Sequence, residues 1–439
     1  MARVPKDLTV VAHANSPWPT ASYVKAKRLG FDCLRLIQIA VDSIDAQRCG
    51  LPCPQFTSVP ATESRNLTAR KGITLKDRTK HHEIVEGIRA QIVHWVYPPG
   101  SRIPPRTTIE KTFHASTVTV QRALTRLIEE GFLVARGQHG TFVTDYPPHL
   151  HHYAVLMPFA PSRTWSQYWQ AIYQEAQNFQ NGEDHRRVHI FHGFPEITDL
   201  TGYQHLVELV ECDRLAGLIF AFNPRSLKQT PLIDRPGLPR VAITSPVPAW
   251  HFPVVTEDVR SFLQKSFTYL SGRGRRRVAF LWSGHLREWD TIAGMLPGYG
   301  MTTRPYWMQA VAFIAAPYAR ECVHLLMHPG QDERPDALVI CDDNLLEPAT
   351  NGLLDAGVCV PGEMDVIAMT NFPHPTNAMV PVKRIGFSMK EIVRLCAGSI
   401  DAQRRGETPP PVTLVPAVFD HELDRTSDQG TGFQSRTPL

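Results

Sequence analysis

At 439 residues the chain is too long for one ordinary domain, and 43% hydrophobic with 20% charged residues gives it ample material for a core. A net charge of +4 is too small to mark a nucleic-acid partner by itself, so any basic surface must be local. Apolar runs stay below the roughly 18 residues of a membrane span, no signal-peptide core opens the chain, and the eight cysteines lack zinc-site spacing. A membrane protein or a small disulfide framework is thereby excluded, and a cytoplasmic protein with reduced thiols is expected.

Residues 1–59 repeat the chain's own C-terminal region. Moving the sequence by 356 places lays Val4-Pro5 on Val360-Pro361 and Lys27-Arg28-Leu29-Gly30-Phe31 on Lys383-Arg384-Ile385-Gly386-Phe387. The run Ser43-Ile44-Asp45-Ala46-Gln47-Arg48 falls on residues 399–404 without a change. A strand over 8–14 and a helix over about 24–48 are expected there. Two copies fall short of the three or so stacked units that a solenoid needs. The segment is an added oligomerisation or capping element, or the remnant of a duplicated neighbour. The remnant is the simpler account, since an orphan strand with an open edge is a liability. Residues 60–79 hold five Lys or Arg and read as a solvated linker.

A helix is predicted from Lys80, with Ile84, Ile88, Ile92 and Val93 on one face, ending before Tyr97-Pro98-Pro99-Gly100. Residues 103–143 then give two short helical patterns, Glu130-Gly131, an apolar strand and a Gly-centred hairpin. The second helix is expected to turn Val118, Ala123, Leu124 and Leu127 inward. Its other face offers Ser116, Thr117, Thr119, Gln121 and Arg122 and no carboxylate, which suits phosphate oxygens and base edges in a major groove. The hairpin Arg136-Gly137-Gln138-His139-Gly140 forms a wing. Residues 80–146 therefore read as a winged helix-turn-helix whose partner is double-stranded DNA. Residues 147–152 read as a second linker.

From 153 to 423 the pattern alternates apolar strands with amphipathic helices, as in parallel sheets covered on both faces. Expected strands are 153–157, 188–191, 215–220, 240–243, 278–282, 337–341 and 365–369. Expected helices include 166–180, 201–212, 258–271, 317–328 and 344–356. The basic break at 273–277 divides this α/β body into two lobes, and the polar tail 424–439 is expected to be mobile.

Nineteen histidines invite a metal reading, with His149, His151 and His152 in the linker and His185, His189 and His192 nearby. No fixed helical ligand spacing accompanies them, so the linker histidines read as solvated and no metal site is expected. Nucleophile-elbow and phosphate-loop motifs are also missing. Lysines after residue 151 are limited to Lys228, Lys265, Lys383 and Lys390, none in the setting of a pyridoxal-phosphate Schiff base. The expectation is a protein with no catalytic residues and no cofactor.

Two family resemblances can be attached to specific residues. The stretches 97–104, Ser116 to Val120, Ala123-Leu124, Glu130-Gly131-Phe132 and 137–143 resemble the GntR-type winged helix. That resemblance gives Arg106 a phosphate-contacting role and extends the DNA surface to Thr107, His139 and Gly140. Two arginines customary in the family are Thr117 and Gln121 here, so the preferred base sequence should differ; Gln121 suits adenine. The stretches 238–243, 254–258, 274–280, 334–343 and 357–361 resemble the effector domain of LacI-type repressors, which has the periplasmic sugar-binding-protein fold. The combination resembles the hybrid regulators of the arabinose-repressor group.

That second resemblance implies a ligand cleft between lobes. Aromatic faces and planar hydrogen-bonders at strand ends single out Arg163, Trp165, Tyr168, Trp169, Phe222, Ser245, Trp282, His285, Asp343 and Asn371. Thr370 and Asn371 stand where the family commonly has an aspartate, which departs from its usual sugar site. The function expected is a dimeric DNA-binding transcription regulator, a repressor of carbohydrate-use genes switched by a small ligand, in the first instance a sugar. The alternatives are a ligand-independent DNA binder with a degenerate cleft and a vestigial fusion that binds no DNA.

Overall fold

The computed structural model describes residues 10–13, 26–31, 33–48, 57–59, 62–63, 80–162, 165–180, 185–194, 196–245, 252–283 and 289–423. Among the expectations above, Arg163, His285 and the tail 424–439 lie outside the described residues. No helix among those described is long and apolar enough to cross a membrane.

The N-terminal unit contains β1 (Val10–His13), β2 (Ala26–Gly30), α1 (Cys33–Arg48) and β3 (Thr62–Glu63). The helix expected over 24–48 starts only at Cys33, because 26–30 is spent as a strand parallel to β1. Thr62–Glu63, inside the stretch read as linker, pairs antiparallel with β2.

The winged-helix head comprises α2 (Lys80–Val93), α3 (Arg106–Phe113), α4 (Thr117–Glu129), β4 (Leu133–Ala135) and β5 (Thr141–Val143). Its core is Ile84, Val85, Ile88, Ile92, Ile103, Ile109, Val120, Leu124, Leu127 and Phe132 with their neighbours. Val118 does not join it: that side chain is 61% exposed, and Val120 takes the inward place. The helix begins at Thr117, so Val120, Ala123, Leu124 and Leu127 follow one face at spacings of three and four, and Val118 falls off that face.

The short α5 (Pro148–His151) joins head to body. It is not a solvated connection. His149 is 1% exposed and stacks on Phe132 of the head, ring centroids 5.9 Å apart. Burial, then Arg404 and His151, push its pKa down to about 3, so the joint holds a neutral imidazole. His152 and His189 face each other at 3.3 Å beside it.

The first lobe of the body begins with β6 (His152–Leu156), α6 (Gln167–Phe179), β7 (Arg187–Phe191), α7 (Leu200–Glu211), β8 (Gly217–Phe220), α8 (Pro231–Asp234), β9 (Arg240–Ile243) and β10 (Val254–Asp258). The chain crosses through α9 (Val259–Gly272) into the second lobe: β11 (Val278–Trp282), α10 (Trp289–Met295), β12 (Met308–Ala310), α11 (Tyr318–Leu326), β13 (Ala337–Ile340), α12 (Leu346–Asp355), β14 (Asp365–Phe372) and β15 (Lys383–Ser388). It returns through α13 (Met389–Arg404) to β16 (Val412–Pro416), and ends on β17 (Val418–Phe419).

The sheets run β16-β10-β9-β8-β6-β7 and β12-β11-β13-β14-β15-β17, parallel except for the last pair. Continuous burial of β8, β9 and β13 reflects helices on both faces. Gly386 is required where β15 meets β14, since a Cβ there would overlap the Thr370 carbonyl. The basic stretch that reads as a lobe boundary is structural: Arg273 and Arg275 pair with Asp365, and Arg277 with Asp336.

The N-terminal unit repeats part of this second sheet in register. Val11 faces Lys27 as Ile367 faces Lys383, each pair sixteen residues apart, and Leu29 faces Glu63 as Ile385 faces Phe419. Under the same shift α1 falls on α13 from end to end.

Candidate nucleic-acid interface and interlobe cleft

At the tip of the head, α4 presents its first turn to solvent. Ser116 caps it, its hydroxyl accepting from the Thr119 amide at 3.3 Å. Arg106, Thr107, Ser116, Thr117, Arg122 and His139 are exposed, while Thr119, Gln121 and Gly140 are half-buried. Gln121 donates to Thr125 Oγ1 at 3.2 Å, and its own carbonyl oxygen is buried without a partner, so its amide must turn outward to read a base. Pro105 gives α3 no side-chain cap, which leaves the amides beside Arg106 free for phosphate.

The wing is a short turn over Gly137–His139 between β4 and β5. Gly140 has φ +102°, and a Cβ there would meet Arg102 Nε at 2.9 Å. Arg136 lies over the Phe142 ring at 4.9 Å. Arg102 and Arg136 thus flank the wing as exposed cations. The sequence placed Arg136 in the wing hairpin but singled out neither arginine as a DNA contact, although Arg102 stands directly before the Ile103-Pro104 that marked the domain.

At its base the head is tied by a buried ion pair. Glu130 on the turn after α4 accepts from Arg89 of α2 and from Arg126 at 2.9 Å. Burial alone would raise the Glu130 carboxyl, but the hydrogen bonds from Arg126 and Arg89 outweigh it and hold its pKa below the usual value. Glu208 and Cys212 at the end of α7 act on the same charges, so the head's base sits on the first lobe.

In the body, strand ends of both sheets meet across the cleft, the usual ligand position in open α/β sheets. Asp343 is 3% exposed and accepts from Asn371 Nδ2 at 2.6 Å. Asn344 accepts from the Gln167 amide of the first lobe at 2.9 Å and donates to Asp342 at 2.6 Å. His374 meets Glu175 of α6 at 2.8 Å, a second bond between lobes.

A cavity of about 910 Å³ opens here between α6 and the loops carrying Phe313, Asp343, Asn344 and His374. Among the expected ligand contacts, Trp165 and Asp343 line it, and Asn371 lies behind Asp343. Trp169 stands edge-on between Phe159 and Phe313, bridging the lobes at centroid distances of 5.4 and 6.0 Å. Tyr168 is half-buried near Glu257. Phe222 stacks on Phe194, Trp282 packs edge-on against Trp289, and Ser245 is exposed; none of the three lines this cavity. The indole N–H of Trp165, Asn371 Oδ1 and Glu257 Oε1 are buried without partners.

Glu257, Asp342 and Asn344 were not singled out by sequence. Glu257 is the penultimate residue of β10, and its carboxyl is pushed up to about 8 by burial and then by Asp343 and Asp342 of the other lobe. Burial and Asp342 likewise push Asp343 up to about 7. A carboxyl whose folded pKa is raised stabilises fully below its unfolded value and loses that contribution as pH rises through the folded value. The body should therefore lose melting temperature between about pH 4 and pH 8. Glu257→Gln should flatten this decline, as thermal melts at several pH values would reveal; an unchanged decline removes Glu257 from the account.

Residues 80–143 match the family model for bacterial regulatory proteins of the gntR family, and residues 267–419 match a periplasmic binding protein-like domain. Over 64 residues the chain is 38% identical to the HTH-type transcriptional regulator GmuR of Bacillus subtilis (strain 168), a match covering 15% of this chain and 27% of that protein. The chain thus spans about a quarter of the length of that curated relative. Among solved structures, a regulatory protein of LacI family from Chloroflexus aggregans aligns with a TM-score of 0.50 and 16% identity, over 61% of this chain and 96% of that one. A LacI family transcriptional regulator from Lactobacillus casei, solved with bound sucrose, aligns with a TM-score of 0.46 and 16% identity, over 62% and 98%. At these identities the likeness is one of fold.

Proposed function

We propose that this chain, a GntR-type winged helix joined to a periplasmic-binding-protein-like body, is a DNA-binding transcription regulator switched by a small ligand in the interlobe cleft. The observation that carries the reading is the face of α4: capped by Ser116, without a carboxylate, and flanked by Arg106, Arg122, Arg102 and Arg136. As a homodimer it would set two such helices in successive major grooves of a near-palindromic operator. Repression of carbohydrate-use genes fits a cleft lined by the rings of Trp165 and Phe313, the amides of Gln167, Gln170 and Asn344 and the carboxyl of Asp343, chemistry that suits a polyhydroxylated ligand such as a sugar.

The coupling route runs through α13 and the head joint. α13 starts after β15, whose neighbour β14 carries Asn371, and ends at Arg404, which acts on His149 beneath Phe132. Lobe closure that tilts this helix shifts the wedge under the head. Couplings of about 1–3 kcal/mol are typical of such switches.

One observation favours a second reading, a DNA binder with a degenerate cleft. Asp343 pairs with Asn371 and Asp342 with Asn344 inside the second lobe, and Asn344 also takes up the Gln167 amide of the first, leaving fewer groups for a ligand. Thermal melts against a panel of neutral sugars separate the two, since a ligand at about a hundred times its Kd adds about 2.7 kcal/mol. A sugar that raises the melting temperature and also releases DNA supports the switch. DNA binding untouched by every sugar supports the second reading.

A further inference from the structure

The N-terminal unit rebuilds the β14-β15-α13 part of the body without the surface that part covers. In the body, Met389, Ile392, Val393, Cys396, Ala397 and Ile400 form the buried face of α13. The matching positions of α1 are all apolar: Cys33, Leu36, Ile37, Ala40, Val41 and Ile44. Leu36, Ile37, Val41 and Ile44 nevertheless stand 41 to 57% exposed. A contiguous apolar stripe left in water marks an interaction surface.

What α13 rests on tells what such a stripe fits. α13 packs against α6, β8, β9 and β10 of the first lobe. Ile400 sits against Gly217, where even a Cβ would come within 2.7 Å. Asp401 accepts from Tyr153 Oη and from Arg186 at 3.1 Å, Gln403 exchanges two hydrogen bonds with the Arg240 backbone, and Arg404 donates to the Leu215 and Ala216 carbonyls at 2.7 Å.

The copy holds the same residue types at all four positions: Ile44, Asp45, Gln47 and Arg48. Positions that face solvent in α13 have drifted instead: Lys390, Arg394 and Gly398 correspond to Leu34, Gln38 and Asp42. The polar docking residues are kept and the buried face stays apolar, although five of its six residues differ, while the solvent-facing positions have changed character.

We propose that α1 docks on the α13 seat of a second copy of this chain, in exchange for that copy's own helix. Docking residues that stay apolar along the buried face and are identical from Ile44 to Arg48 make the exchange comparable in contacts. The resident helix keeps the advantage of covalent attachment, an effective concentration in the millimolar range, so exchange happens as bodies open and reclose, as in domain swapping. On this view the unit is a functional assembly element and not a remnant.

The test uses the full chain with Ile39→p-benzoylphenylalanine, a position matching the half-buried Leu395 at the margin of the α13 face. Isotope-labelled and unlabelled protein are unfolded and refolded together, irradiated, and their cross-linked peptides mapped by mass spectrometry. Mixed-isotope pairs joining position 39 to peptides of α6, β8 or β9 are the expected result. The further variant Asp45→Ala/Arg48→Ala, which keeps the apolar stripe, should lose them. Cross-links from α1 to α1, pairs confined to one isotope, cross-links scattered over other surfaces, or no cross-link at all overturn the proposal.

Discussion

The double variant Arg106→Ala/Arg122→Ala is expected to lose about a hundredfold in affinity for a specific duplex, with its melting temperature almost unchanged. Both side chains are exposed, and Arg122 projects from the face of α4 opposite the buried Val120, Ala123, Leu124 and Leu127. Surface changes of this kind usually alter stability by less than about 0.5 kcal/mol. A good base contact is worth about 1–3 kcal/mol, and each lost phosphate contact lowers the slope of affinity against salt by about one. The two single variants then divide the roles. Arg106→Ala should weaken all duplexes alike, as a phosphate contact at the start of α3 would, whereas Arg122→Ala should weaken the specific duplex more than a random one. Anisotropy titrations at two salt concentrations measure both quantities. Full affinity in the double variant would remove the head's reading face from the account.

The second large effect belongs to the base of the head. Arg89→Ala is expected to cost about 3–5 kcal/mol, because it strands the buried Glu130 carboxylate with a half-exposed Arg126 as its remaining partner. Arg89 also lies over the Phe132 ring at 5.6 Å, the ring on which His149 stacks, so the loss should loosen the head–body joint as well. Arg89→Met combined with Glu130→Leu should recover most of the stability, since replacing both partners by apolar groups leaves no charge behind. Chemical denaturation of the three variants measures this. If Arg89→Ala alone costs under about 1 kcal/mol, the pair does not hold the head. The Glu130 pKa is lowered in the fold, so the pair's contribution is complete above about pH 4.5 and disappears as pH falls through the folded value.

Local chemistry made the head readable. Ser116, the prolines at 98–99 and 104–105, and the three-four spacing of Ala123, Leu124 and Leu127 act within a few residues of themselves. The misplaced Val118 shows the limit: two valines two residues apart cannot be sorted by hydrophobicity, and only the start of the helix at Thr117 decides between them. The alternation of strands and helices likewise revealed the body. Its interlobe contacts were not legible, because Gln167 meets Asn344 and Glu175 meets His374 across separations of 177 and 199 residues. Glu257 looked like an ordinary polar residue before a helix; its raised pKa comes from Asp343 and Asp342 on the other lobe. His149 looked solvated for a related reason, since Phe132 and Arg404 reach it from two different parts of the chain. Aromatic residues at strand ends overstated the ligand surface: Phe222 and Trp282 spend their rings on Phe194 and Trp289.

The most direct measurement of the central claim is selection of duplexes from a random pool by the full chain at moderate salt, repeated with each sugar that raises its melting temperature. The account predicts enrichment of one near-palindromic sequence, loss of that enrichment in Arg106→Ala/Arg122→Ala, and release of the selected duplex by a cleft ligand. A pool that stays random at moderate salt, or an enriched sequence bound equally by the double variant, would contradict it.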